Sequence, residues 1–159
     1  MSKFVVTAKV QIHPERSVRK SLDRSMVQYS LACDRISEVI FQTHNLNQAQ
    51  LQEQLYEELR DRFGLKSQMA CSSIRTVIAK YKAILSEERQ WIQPKFRKPQ
   101  LDLVWNRDYS LNTKNDIFSV NTLNGRIKVA FYKNGFEQYF SDNCKFGTAK
   151  LVHKHNKFY

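Results

Sequence analysis

The chain has 159 residues, 42% of them hydrophobic, and 26 Lys+Arg against 15 Asp+Glu give it a net charge of +11 and a pI near 9.7. That length allows one or two small domains with a real core, and the charge balance calls for a polyanionic partner. No apolar run approaches a membrane span and no signal-peptide pattern opens the chain, so nucleic acid is a better partner class than an anionic membrane.

In chain order, Phe4, Val6, Ala8, Val10 and Ile12 alternate with Val5, Thr7, Lys9 and Gln11. That period of two predicts a strand over 4–12 that stops at His13-Pro14. Pro14 suits the first turn of a helix and Glu15 complements its dipole. Val18, Leu22, Met26, Tyr29, Cys33, Ile36 and Ile40 then recur every three or four residues, predicting one amphipathic helix over roughly 15–43. Asn45 or Asn47 caps a second helix carrying Leu51, Leu55 and Leu59, and Gly64 sits where a left-handed terminating residue belongs. Ser67 is the expected cap of a third helix, with Ala70, Ile74, Val77, Ile78, Tyr81 and Leu85 on its buried face. Three helices with short connections read as a small antiparallel bundle.

A break follows at Gln93-Pro94-Lys95-Phe96-Arg97-Lys98-Pro99, where two prolines bracket three cations and one aromatic ring. Helical spacing precedes it and strand spacing follows, so it is a hinge between two structural regimes. Predicted strands are Leu101–Trp105, Ile117–Thr122, Arg126–Tyr132, Phe136–Phe140, Thr148–His153 and Lys157–Tyr159. Hairpin turns are expected at Asn124-Gly125, at Lys133-Asn134-Gly135 and around His155-Asn156. A lone first strand leaves its backbone unpaired, so it most simply joins the later strands. The expected fold is therefore α+β: a small antiparallel β-barrel interrupted by an inserted three-helix bundle. Residues 1–13 and 93–159 would form the barrel and 14–92 the insertion.

Chemistry-bearing motifs are few. There is no Gly-rich phosphate loop, no GxSxG and no paired-His metal motif, so no catalytic residue is assigned. Cys33, Cys71 and Cys144 are far apart with no CxxC pair, which excludes a zinc ribbon within this chain and fits free thiols in a reducing cytoplasm. Asp116 and Asp142 read as turn residues, and Cys144, His153 and His155 lack a fourth ligand for a metal site. Charge is denser late in the chain: residues 91–159 hold 12 cations and 5 anions, against 14 and 10 in residues 1–90. The hinge residues Lys95, Phe96, Arg97 and Lys98 combine phosphate-neutralising charge with a ring able to stack. The competing account is a solvated Pro-rich linker. Arg126 and Lys128 share one face of the Asn124-Gly125 hairpin, where they can track a nucleic-acid backbone or simply face water. The third helix opens on Lys66, Ser67 and Gln68, with Arg75 further along. Its first turn offers free N–H groups to phosphate, and Gln can read base edges. Plain capping by Ser67 with a solvated polar face is the competing account.

Taken in order, several pieces resemble the N-terminal lobe of TnpB, the OrfB-type transposon-encoded RNA-guided nuclease related to type V CRISPR effectors. They are Phe4–Ile12 with Pro14-Glu15, Leu65–Ala70 followed by Tyr81-Lys82, Pro94–Lys98, Asn124–Val129, and Gly147–Val152 with Lys157–Tyr159. The resemblance spans the whole chain and implies an oligonucleotide-binding-like wedge barrel interrupted by a helical recognition domain. It implies guide RNA and target duplex DNA as partners, in a prokaryotic cytoplasm beside the nucleoid. By position, Lys66, Ser67, Gln68, Cys71 and Arg75 would lie near the short DNA motif beside the target, and Lys95, Phe96, Arg97, Lys98, Arg126 and Lys128 near the guide RNA. The family's RuvC carboxylates and zinc ribbon, with their Mg and Zn, would follow Tyr159. The resemblance thus implies no cleavage by this chain alone: a fragment, one half of a split effector docking a RuvC-bearing chain, or a chain that binds without cutting. The rivals are the matching lobe of a miniature type V effector, a guide-independent DNA-binding regulator, and a β-barrel adaptor that only docks a catalytic partner.

Overall fold

A computed structural model describes residues 4–133 and 135–159. Among them are three helices and seven strands in the order β1 (Gln11–Ile12), α1 (Arg16–Thr43), α2 (Gln48–Asp61), α3 (Ser67–Glu88), β2 (Gln100–Leu103), β3 (Tyr109–Asn112), β4 (Ile117–Thr122), β5 (Gly125–Tyr132), β6 (Ala149–Lys154) and β7 (Lys157–Phe158). The strands form one antiparallel sheet ordered β2-β6-β7-β1-β5-β4-β3. The fold class is α+β.

The sheet is curled, and connectivity requires it. Its two edge strands, β2 and β3, are consecutive in sequence. From Leu103 to Tyr109 the chain reaches at most about 21 Å fully extended. Edges of a flat seven-stranded sheet would stand about 29 Å apart. The corner is stitched by hydrogen bonds from the Arg107 and Asp108 amides to the Val104 carbonyl, at 3.2 and 2.9 Å. The Tyr109 hydroxyl also donates to the Gly147 carbonyl at 2.6 Å.

The helices match their expected bounds closely, because period and caps agree. Leu22, Met26, Tyr29, Cys33, Ile36 and Ile40 are all buried along α1, as are Leu51, Leu55 and Leu59 along α2. Pro14 precedes the α1 cap residue Glu15 instead of occupying the first turn. Asn47 caps α2 through its side chain, which accepts from the Gln50 amide at 3.0 Å. Gly64, at φ +68, reverses the chain so that the Leu65 amide donates to the Leu59 carbonyl. These faces and the inner face of the sheet share a single apolar core.

Three expectations need correction. The strand over 4–12 shrinks to Gln11–Ile12, which pairs with Phe131 and Tyr132 of β5 and with Phe158 of β7. Its pairing with late strands holds, but Phe4–Val10 runs past the ends of both neighbours, leaving Phe4 and Val5 exposed. Phe136–Phe140 is not a strand. Glu137–Phe140 forms a 3-10 turn, because Phe136, Tyr139 and Phe140 sit at i, i+3, i+4 and the Tyr139 amide donates to the Phe136 carbonyl. Ser67 does not cap α3: Lys66 is the cap residue, without a side-chain cap bond, and Ser67 already lies inside the helix. The turn expected at His155-Asn156 is present between β6 and β7, with both residues at positive φ. The Lys133-Asn134-Gly135 turn includes Asn134, outside the described residues. β3 was not foreseen.

Candidate nucleic-acid interface

The hinge is an extended strap laid along α1. The Ser37 hydroxyl donates to the Pro94 carbonyl at 2.8 Å, and the Phe96 amide donates to Asp34 Oδ1 at 2.8 Å. Pro94 is buried and Phe96 half-buried against the core, whereas Lys95, Arg97 and Lys98 are exposed. Alternation of an extended chain explains this: side chains at 94 and 96 point inward and those at 95 and 97 outward. The Phe96 ring thus anchors the strap, and the cations face solvent.

Strand pairing places further cations on one side of the sheet. Ladder partners share a face. Arg126 and Lys128 on β5, Lys150 and Lys154 on β6 and Lys157 on β7 all fall opposite the buried positions Val129, Phe131, Leu151 and Phe158. Asp102, paired with Lys150, is the one carboxylate on that outer face among the strand residues. Lys9 lies 4.4 Å over the Tyr159 ring beside them. Among the described residues, only Arg35, Lys133 and Lys150 of the lysines and arginines form an ion pair with a carboxylate.

Arg126 and Lys128 share this face but differ in their bonding. The Arg126 guanidinium donates to Ser119 Oγ at 2.8 Å, the Arg107 carbonyl at 3.0 Å, Asn121 Oδ1 at 3.2 Å and Ser110 Oγ at 3.2 Å. It ties β3, β4 and β5 together. Lys128 makes no such bond and is exposed.

The first turn of α3 faces α2 across an open groove of about 650 Å³. Ser67, Gln68 and Cys71 line one wall; Gln52, Glu53, Tyr56 and Glu57 line the other. Gln68 Nε2 is buried there without a partner. Two carboxylates opposite an uncapped helix start disfavour a phosphate and favour amino groups such as those on base edges. Lys66 is exposed at the rim.

Arg75 belongs to a different place. One turn back on α3, the Ser72 hydroxyl donates to Asp108 Oδ2 at 3.4 Å, and the Val104 amide donates to the same oxygen at 2.8 Å. Asp108 is 1% exposed, and burial pushes its carboxyl above the usual range, while bonding to Val104 and Ser72 and the charges of Arg75 and Arg126 act the other way. Arg75 and Arg126, assigned separately from sequence to DNA and RNA, thus both act by charge on one buried carboxylate.

All three cysteines are free, and burial raises the Cys33 thiol well above its ordinary value. Asp116 lies in a turn at φ 53, and His153 Nδ1 is 2.7 Å from Asp23 Oδ1. No group of three or more His, Cys, Asp or Glu among the described residues is placed to hold a metal ion, and none of the helices is long and apolar enough to cross a membrane. Sequence reasoning missed Lys9, Lys150, Lys154 and Lys157 because their common face exists only once the pairing register is known. No protein-family model and no curated protein matches the chain.

Proposed function

We propose that this chain is a nucleic-acid-binding lobe of a TnpB-like, RNA-guided DNA-targeting system. The observation that carries the reading is the outer sheet face, which holds five strand cations and a single strand carboxylate, Asp102, itself bonded by Thr76 of α3. Counterion release makes such a face a phosphate-backbone surface. The exposed strap cations Lys95, Arg97 and Lys98 add to it. In this reading the sheet face and strap hold the guide RNA scaffold. The groove at Ser67, Gln68 and Cys71, with Lys66 at its rim, meets the short DNA motif beside the target.

The three helices fall between β1 and β2, two strands of one curled sheet, which supports reading them as an insertion into an oligonucleotide-binding-like barrel. Cleavage is assigned to a RuvC-bearing partner or continuation, with its own Mg and Zn, and the working compartment is the prokaryotic cytoplasm beside the nucleoid.

The test is purification without nuclease treatment, followed by RNA binding across a salt series. A discrete structured RNA should copurify, and the affinity should fall steeply with salt. RNA-free protein with unimpaired DNA affinity would replace this reading with a guide-independent regulator. Salt-insensitive protein contacts without nucleic-acid affinity would replace it with an adaptor.

A further inference from the structure

We infer that Tyr132 and Tyr159 form a stacking site for unpaired nucleobases on the cationic face of the sheet, an inference that rests on the proposed nucleic-acid function. Tyr132 ends β5 on the outer face and is 55% exposed, an unusual position for a large aromatic ring that the core does not need. His13 packs beside it, ring centroids 4.3 Å apart and planes tilted by 55°, which limits the ring's freedom without covering it. Gln11 pairs with Tyr132, and because Ile12 pairs with Phe158 the same register sets Gln11 beside Tyr159. The two tyrosines thus flank the central strand, about 10 Å apart across two strand spacings.

Tyr159 is fixed by reciprocal backbone bonds with Val152 at 3.0 and 2.9 Å, and Lys9 lies 4.4 Å over its ring. The row therefore offers the exposed ring of Tyr132, an amide side chain beside it able to donate and accept, and a Tyr159 ring that Lys9 covers on one face. Bases within a duplex are stacked on one another and cannot reach such rings; unpaired bases can. The ligand class is an unpaired segment of nucleic acid, with the backbone neutralised by neighbouring lysines.

The experiment compares Tyr132→Ala and Tyr132→Phe with the parent chain. The probes are a 12-nucleotide oligouridine and a duplex RNA of about the same length, read by fluorescence anisotropy across a salt series. Tyr132→Ala should weaken single-strand binding about tenfold, in keeping with loss of one base stack. Duplex binding should stay within about twofold, and Tyr132→Phe should retain the single-strand affinity because the ring remains. An unchanged salt slope in Tyr132→Ala would show that phosphate contacts persist. Equal losses on both probes, or no loss on the single strand, would overturn the stacking site while leaving the phosphate surface intact. Failure of the parent chain to bind either probe would remove the nucleic-acid reading, and this site with it.

Discussion

Removing the strap's two pins in Asp34→Ala/Ser37→Ala gives a direct measure of how the cationic segment is held. Ser37→Ala strips the donor from the Pro94 carbonyl, a contact made at a position with 0% exposure. Leaving such an acceptor unpaired costs about 1–3 kcal/mol. Asp34→Ala removes a charge-assisted bond to the Phe96 amide, worth about 1.5–3 kcal/mol. The two pins hold the same short segment, so their effects couple and a combined loss of about 2–5 kcal/mol is expected. For a chain of this size that corresponds to a Tm lower by very roughly 5–20 °C. Urea unfolding supplies the free energy, and amide exchange supplies the local readout, with the Phe96 amide protected in the parent chain and exposed in the variant. RNA affinity should fall while its salt slope stays constant, because the cations remain and only their preorganisation is lost. A stability change below about 0.5 kcal/mol, or a Phe96 amide that already exchanges freely in the parent chain, would refute the pinned strap.

Lys128→Ala should lower the RNA salt slope by about one and leave stability nearly unchanged, whereas Arg126→Ala should lower the slope and also cost about 1–2 kcal/mol of stability through its lost side-chain bonds, both read from binding and urea series. Asp108 titrates above its usual 3.8 in the folded chain, so the folded state holds the proton more tightly than the unfolded state. Its contribution to stability therefore falls as pH rises from the unfolded pKa through the raised folded one. Asp108→Asn should flatten that part of the stability–pH profile, and an identical profile in the variant would count against the buried carboxylate. Gln68→Ala should reduce discrimination among DNA motif variants by about 1–3 kcal/mol with RNA affinity unchanged, measured with the complementing nuclease portion present. Unaltered preference in a folded variant would show that Gln68 only lines a groove.

Much of the helical half was legible because propensity, period and caps agree there: Leu51, Leu55 and Leu59 mark one face, Asn47 begins the helix and Gly64 ends the turn after it. Strands were harder, since their partners are distant. Phe4–Ile12 shows the cleanest alternation in the sequence, yet only Gln11 and Ile12 meet neighbouring strands. Alternation reports a preference for extended backbone, and pairing depends on what lies alongside. At Phe136–Phe140 aromatic residues were counted as strand formers although their i, i+3, i+4 spacing is helical. The Asn124-Gly125 signal located its hairpin, but the loop proper is Leu123-Asn124 and Gly125 opens β5 at φ +119. Of the candidate site, the strap cations were readable from composition. The bonding that separates Arg126 from Lys128 was not, because it depends on β3, an element that short polar residues conceal.

The placement of β1 between β5 and β7 also orders events in time. Two residues near the start of the chain must wait for Phe131 and Phe158 before their ladder can form, and β2 waits for β6 some fifty residues later. During synthesis the helices, whose contacts are local, can take shape while the sheet still lacks its middle. The outer face that gathers Arg126, Lys128, Lys150, Lys154 and Lys157 exists as one surface only after the last hairpin arrives. A nascent chain therefore displays its cations piecemeal, and the cationic face comes together only once β7 has been made.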